Sequence, residues 1–210
     1  MRVLIGCERS GIVREAFRRL GHDALSCDLE PAEDKSDWHL QCDILEVIQD
    51  GDWDMMICHP ECRYVSVSGM HRTVRGLRDP ALTTKAITFA EKLWAANIPL
   101  IVVENPVGVL STRSKLGKPS QIIQPYQFGE DASKKTCLWT KGLSLLKPTR
   151  FIRPRIVVLN GRRYQRWANQ TDGGQNRLGP SEHRSIDRAR TYPGIAEAMA
   201  NQFTRQLIQK

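Results

Sequence analysis

Short apolar runs alternate with amphipathic stretches along the first two thirds of the chain. Val3-Leu4-Ile5, within Arg2–Gly6, reads as an opening strand, too short for a helix and closed by glycine. After the turn Cys7-Glu8-Arg9-Ser10-Gly11, residues Ile12, Val13, Ala16, Phe17 and Leu20 recur at helical spacing. Ser10 is placed to cap that helix and Gly21 to end it. Ala24-Leu25-Ser26-Cys27 is a second strand closing in Asp28, so the opening forms a β-α-β unit with an acid at its second tip. Next come Cys42-Asp43-Ile44-Leu45, a short turn over 45–49, and an apolar strand through Met55-Met56-Ile57-Cys58 that runs on to His59-Pro60-Glu61-Cys62. Residues 83–96 read as a helix with Ile87, Ala90, Leu93 and Trp94 on its buried face. Leu100-Ile101-Val102-Val103 then stops at Glu104-Asn105-Pro106, and after a loop rich in Pro and Gly comes Thr136-Cys137-Leu138-Trp139.

Strands alternating with helices predict a three-layer α/β domain with a mainly parallel sheet. From 146 to 180 the alternation fails. Ile156-Val157-Val158-Leu159 is the only clear strand there, and 161–179, rich in Arg, Asn, Gln and Gly, reads as a mobile loop or small insertion. A closing helix from Gly194 carries Ile195, Ala198, Met199 and Phe203 on one face. The expected organisation is a core over 1–145, a small basic insertion over 146–180, and a segment over 181–210 that returns to the core.

At 210 residues the chain suits one domain, and the distribution of its +8 formal charge says more than the total. From Phe151 to Lys210 there are eleven Lys/Arg against four acids, mostly arginines whose planar fork suits phosphates. A polyanionic partner is the natural expectation. No apolar stretch approaches a membrane span and no signal segment opens the chain, so a cytoplasmic location is expected. The 6 cysteines are dispersed and read as reduced thiols; Cys58, His59 and Cys62 lack a convincing second ligand pair, so no metal is expected. A three-glycine dinucleotide fingerprint and a phosphate-cradling Gly-Lys-Ser/Thr are both missing, which disfavours nicotinamide and nucleoside triphosphate roles.

In an open parallel sheet ligands bind outside the carboxyl ends of the strands. Cys62 and Glu104 fall just beyond two such ends, where a thiol and a carboxyl group can act on one substrate as nucleophile and proton donor. Taken in order, these pieces resemble the DNA cytosine-C5 methyltransferases, and more closely a compact phage- or prophage-type branch of that family. Val3-Leu4-Ile5-Gly6 with the 7–11 turn and the Asp28 tip occupies the place of the first S-adenosylmethionine motif and its following acid. Cys42-Asp43-Ile44 matches the adenine-contacting turn. His59-Pro60-Glu61-Cys62 stands where the family has Pro-Pro-Cys, Glu104-Asn105-Pro106 where it has Glu-Asn-Val, and Tyr192-Pro193-Gly194-Ile195-Ala196 is similar to the closing motif.

The resemblance implies a Rossmann-like fold, S-adenosylmethionine as cofactor, and cytosine-containing DNA as partner, in a bacterial host carrying a phage or prophage. It places Cys62 and Glu104 as catalytic residues. Cys7, Glu8, Ser10 and Gly11 would line the methionine end of the cofactor, Asp28 the ribose, with Glu30 close enough to compete, and Asp43 and Ile44 the adenine, with Pro60 also among the cofactor contacts. Asn105, Arg63, Arg162, Arg163, Arg166, Trp167 and Arg177 would meet the substrate, with Tyr164 and Trp167 placed to stack on a base. Three positions depart from the pattern. Glu61 replaces the second proline, and a carboxylate aimed at Cys62 would raise the thiol pKa. Ser133-Lys134-Lys135-Thr136 replaces Gln-x-Arg-x-Arg. The recognition region shrinks to 146–180, with little room for base readout. Two further readings remain open from the sequence: methylation of a free deoxycytidine nucleotide or single-stranded nucleic acid, and a catalytically weak nucleic-acid- or cofactor-binding protein.

Overall fold

The computed structural model describes residues 1–179 and 184–208. Strands β1 (Arg2–Gly6), β2 (Asp23–Asp28), β3 (His39–Gln41), β4 (Met55–Cys58), β5 (Leu100–Pro106), β6 (Gln121–Ile123) and β7 (Thr136–Lys141) form one sheet in the order β3-β2-β1-β4-β5-β7-β6. The β1–β2, β2–β3, β1–β4 and β4–β5 pairs are parallel, and β7 runs antiparallel to both its neighbours. This is the expected three-layer, mainly parallel, Rossmann-like sheet.

Two consequences of this topology place the site. The strand order reverses between β1 and β4, and the carboxyl ends at such a reversal are the standard ligand position of these sheets. And because β7 is reversed, its beginning lies at that rim, which carries the residues just before it, Ser133-Lys134-Lys135, to the same edge.

Period-2 alternation sorts the strands into two cores. Val3, Ile5, Met55, Ile57, Leu100 and Val102 face helices α1 (Ile12–Arg18) and α7 (Pro193–Ile208), where Phe17, Ile195, Met199 and Phe203 complete the packing. Leu4, Met56, Cys58, Ile101, Val103 and Trp139 face the other way, against α2 (Ile44–Asp50) and α4 (Pro80–Trp94). Both faces are buried, which is why the strands read as unbroken apolar runs.

The structure corrects several expectations. Helix α1 stops at Arg18, so Leu20 lies beyond it and is exposed. Residues 45–49, expected as a turn, belong to α2, whose cap is Asp43: its carboxylate accepts from the Leu45 amide at 2.9 Å. Helix α4 starts earlier than expected, with Asp79 as cap and Pro80 at its first position. Helices α3 (Val67–Val74), α5 (Leu110–Arg113) and α6 (Arg184–Ala189), and strands β3 and β6, were not apparent from the pattern. The 161–179 stretch is not all loop. Strands β8 (Arg155–Leu159) and β9 (Arg162–Arg166) pair antiparallel through Asn160-Gly161, both at positive φ (50° and 73°), the geometry of a tight two-residue hairpin. No helix among the described residues is long and apolar enough to cross a membrane.

Candidate active site

The register of two parallel strands builds the centre of the site. Met55 lies beside Leu100 and Ile57 beside Val102, all on the α1/α7 face. Carrying the alternation two residues further sets His59 beside Glu104 at the rim. Their side chains meet there, with His59 Nδ1 at 3.2 Å from Glu104 Oε2. The next residue, Asn105, points to the opposite face, where its amide donates to the Pro60 carbonyl at 2.7 Å.

That bond is one of several that hold the Cys62 segment against the end of β5. The Val67 amide donates to the Val107 carbonyl (3.1 Å) and the Val109 amide to the Val65 carbonyl (2.8 Å). Gly108 permits this approach, since a Cβ there would collide with the Val65 carbonyl. Ser66 then caps α3 by accepting from the Gly69 amide at 3.2 Å. Cys62 is thus presented at the rim by a braced turn rather than a free loop, and it is half-buried.

The electrostatics separate the six thiols. Burial raises every one for which a shift is resolved, carrying Cys27 to about 12, Cys137 to about 11, and Cys58 and Cys7 well above the usual range. Cys58 is also sealed on the inner face, donating to the Val102 carbonyl at 3.5 Å. Cys62 is raised by burial and by the Glu104 charge, but Lys134 and Arg188 pull it back. Among the thiols with a resolved shift, Cys62 is the one on which nearby cations act to favour the thiolate. Glu61 pairs with Arg63 at 3.2 Å, both side chains more than half exposed, and its charge is not among the largest influences on Cys62.

Glu104 behaves in the opposite sense. Burial alone would raise its pKa, yet the His59 hydrogen bond, the Lys134 charge and the Thr136 hydroxyl outweigh it and hold the carboxyl below its ordinary value. The Lys134 ammonium also donates to the Arg188 carbonyl at 2.9 Å, and Arg190 beyond it pairs with Glu33 at 2.6 Å. The last turn of α6 and Arg190 just beyond it therefore tie the Cys62 side of the rim to the loop that follows β2.

On that second side, Cys7 sits in the left-handed region (φ 57°), and Asp28 and Asp43 are both near enough to raise its thiol. Asp28 Oδ1 accepts from the Glu30 amide at 3.0 Å and Asp43 Oδ1 from Leu45, so each carboxylate keeps Oδ2 without a protein partner among the described residues. Glu8 is engaged differently. It is 5% exposed and caps α1, accepting from the amides of Val13 (2.7 Å) and Arg14 (3.2 Å) and from the Ser10 hydroxyl (3.2 Å). Ser10 contributes a long bond to the Ile12 amide at 3.4 Å, so the cap expected of it falls mainly to Glu8. Gly11 holds the left-handed N-cap position (φ 68°). Ile44 is buried with its tip packed on Gly6, where a Cβ would collide with it, so it backs the rim from within.

The basic segment divides in two. Arg155 pairs with Asp172 at 2.6 Å, Arg166 donates to the Asp172 carbonyl at 2.9 Å, and Arg177 to the Gln170 carbonyl at 3.0 Å, so these three brace their own loop. Arg162 and Arg163 are exposed and make no side-chain bond or ion pair with the described residues. Trp167 is not available to stack on a base. It is buried against Tyr126, ring on ring at 4.2 Å and 11°, with its indole N–H on the Ile152 carbonyl. Trp167→Ala is expected to lower stability by about 3–5 kcal/mol, measured by denaturant unfolding. Unchanged stability would mean that the ring packs nothing. Tyr164 lies under the Arg166 guanidinium at 5.0 Å. A cavity of about 710 Å³ opens between this loop and α6, lined by Thr171, Gln175, Asn176, Arg177 and Arg188.

Four contributing residues escaped the sequence reading as site residues. His59 was legible in principle from the Met55-Ile57-His59 alternation. Lys134 and Arg188 carried no local signal, because the reversed strand β7 and the return of the chain bring them in. Arg14, fully buried, bonds Ser26 at 2.8 Å and pairs with Asp34, which fastens the loop after β2 to α1.

No protein-family model and no curated protein matches the chain. Solved structures do. The Entamoeba histolytica methyltransferase EhMeth matches with TM-score 0.48 and 14% identity, over 73% of this chain and 58% of its own. A protein described as a DNA modification methyltransferase encoded within an E. coli prophage matches with TM-score 0.47 and 13% identity, over 72% and 52%. The Schizosaccharomyces pombe Dnmt2 methyltransferase matches with TM-score 0.45 and 17% identity, over 69% and 51%. The chain spans little more than half the length of these structures.

Proposed function

We propose that this protein is an S-adenosylmethionine-dependent methyltransferase that adds a methyl group to C5 of cytosine in DNA through a covalent adduct on Cys62. The observation that carries this reading is the convergence of Cys62, Glu104 and Lys134 on one rim, beside a strand-order reversal whose other side presents Asp28 and Asp43. Cytosine C5 is too weak a nucleophile to take a methyl group unaided. Addition of the Cys62 sulfur to C6 makes C5 enamine-like, and a proton delivered to N3 by Glu104 stabilises the adduct. Lys134 is a cation that acts on both groups and would hold the negative charge that develops on the base.

The donor set on the β1–β2 side fits the cofactor. The partnerless Oδ2 atoms of Asp28 and Asp43 are acceptors suited to a ribose diol and an adenine amino group. Bound there, S-adenosylmethionine would supply an electrophilic methyl group. Asp28→Asn keeps the acceptor for the Glu30 amide and removes the charge, so cofactor affinity should fall by roughly one to two decades, equivalent to about 1.5–3 kcal/mol. Calorimetry returning wild-type affinity would remove Asp28 from the site.

Pairing of Glu61 with Arg63 weakens the case for an inactive binding protein, since that case rested on Glu61 suppressing the thiol. The free-nucleotide or single-strand substrate keeps one supporting observation: three arginines of the basic segment brace their own loop, leaving a small surface for duplex readout. Transfer of a labelled methyl group to duplex DNA, single-stranded DNA and dCMP decides between them. Labelling of DNA is expected; labelling of dCMP alone would move the substrate to the nucleotide, and labelling of none would refute the reaction.

A further inference from the structure

The strongest unassigned group in the molecule is the imidazole of His59. Its side chain is 9% exposed and Glu104's is 12%, so the contact between them is sealed from solvent on most sides. Nδ1 lies on Glu104 Oε2 at 3.2 Å, while Nε2 is buried and has no hydrogen-bond partner among the described residues. A proton on Nε2 would be a buried donor without an acceptor, which costs more than the bond it could otherwise make. The proton of this contact therefore sits on Nδ1 and is aimed at the carboxylate. The surrounding groups agree with a carboxylate held this way: Lys134 and the Thr136 hydroxyl flank it, and its charge reaches Cys62, Cys58 and Cys137.

We infer that His59 is a positioning residue for the proposed reaction: locked as the Nδ1–H tautomer, it fixes Oε2 of Glu104 and leaves Oε1 alone to exchange a proton with the substrate. This rests on the methyltransferase reading above. The proton balance closes within the site. The Cys62 S–H bond breaks and its proton passes to Glu104 Oε1. The sulfur forms its bond to C6, the C5=C6 pair moves to C4–C5, the C4=N3 pair moves to N3, and N3 takes the same proton from Oε1. One carboxylate thus serves as base to the thiol and acid to the ring, which requires a fixed orientation rather than a fixed charge.

Two variants separate this role from a purely structural one. His59→Leu removes the donor. Methyl transfer should lose about 10²-fold in kcat while the KM for DNA and the affinity for S-adenosylmethionine stay within about two-fold. His59→Asn returns an N–H close to the Nδ1 position and should recover most of the loss. Equal damage in both variants, or wild-type kcat in His59→Leu, would overturn the assignment. A readout independent of turnover is ¹⁵N NMR of the His59 ring in the whole protein, which should show Nδ1, not Nε2, as the nitrogen that carries the proton of the singly protonated ring. The opposite tautomer would refute the assignment even if the enzyme is active. Absence of methyl transfer by the wild type would strike the proposed function alone, and the ring tautomer would still decide whether His59 holds Glu104.

Discussion

Cys62→Ser is expected to lower methyl transfer by at least about 10⁴-fold, the scale of loss when a covalent nucleophile is removed. The hydroxyl that replaces the thiol is far less acidic, and among the described residues no imidazole bonds Cys62 to deprotonate it, His59 being turned toward Glu104. The fold should survive. Cys62 is half-buried, its turn is held by backbone bonds and by Asn105, and none of these involves the sulfur. Unfolding midpoints within error of wild type, with cofactor affinity unchanged, would show that the loss is chemical. Retention of more than about a tenth of the rate would remove Cys62 as nucleophile.

Glu104→Gln carries the second large effect, and it should act in opposite directions on two measurements. Transfer should slow by about 10²-fold or more, since an amide can neither accept the thiol proton nor deliver one to N3. The same change deletes a negative charge that raises the Cys62 thiol, so the thiol pKa should fall. At a fixed pH near neutrality the thiolate fraction then rises, and alkylation of Cys62 by iodoacetamide should become faster. Slower catalysis with faster alkylation is hard to produce by general damage. Slower alkylation would mean that the Glu104 charge does not reach the sulfur.

The α/β alternation, the parallel sheet and the rim positions of Asp28, Cys62 and Glu104 were legible because both sheet faces are buried: the strands read as plain apolar runs and their ends as abrupt polar stops. What failed to read has physical causes. Strands β3 and β6 are three residues each, too short for a periodic signal. The Asn160-Gly161 hairpin was readable from its dipeptide, but the arginines of β9 masked the alternation. Trp167 looked like a surface aromatic among arginines, but Tyr126 and the Ile152 carbonyl, distant in the chain, pack on it and bond it. Glu8 illustrates a different limit. Its sequence position suits a ligand contact, yet the unsatisfied amides of α1 claim its carboxylate first. Lys134 and Arg188 depend on chain reversals that no local pattern encodes.

The most direct test of the account is a covalent trap. Fluorine at C5 of cytosine cannot leave as a cation, so the step that would release the enzyme is blocked and the sulfur–C6 bond persists. With S-adenosylmethionine and DNA containing 5-fluorocytosine, mass spectrometry that fragments the 36–63 tryptic peptide, which carries Cys42, Cys58 and Cys62, should place one cofactor-dependent adduct on Cys62, absent from Cys62→Ser. An adduct on Cys58 instead, or no adduct while the folded protein binds cofactor, would contradict the account.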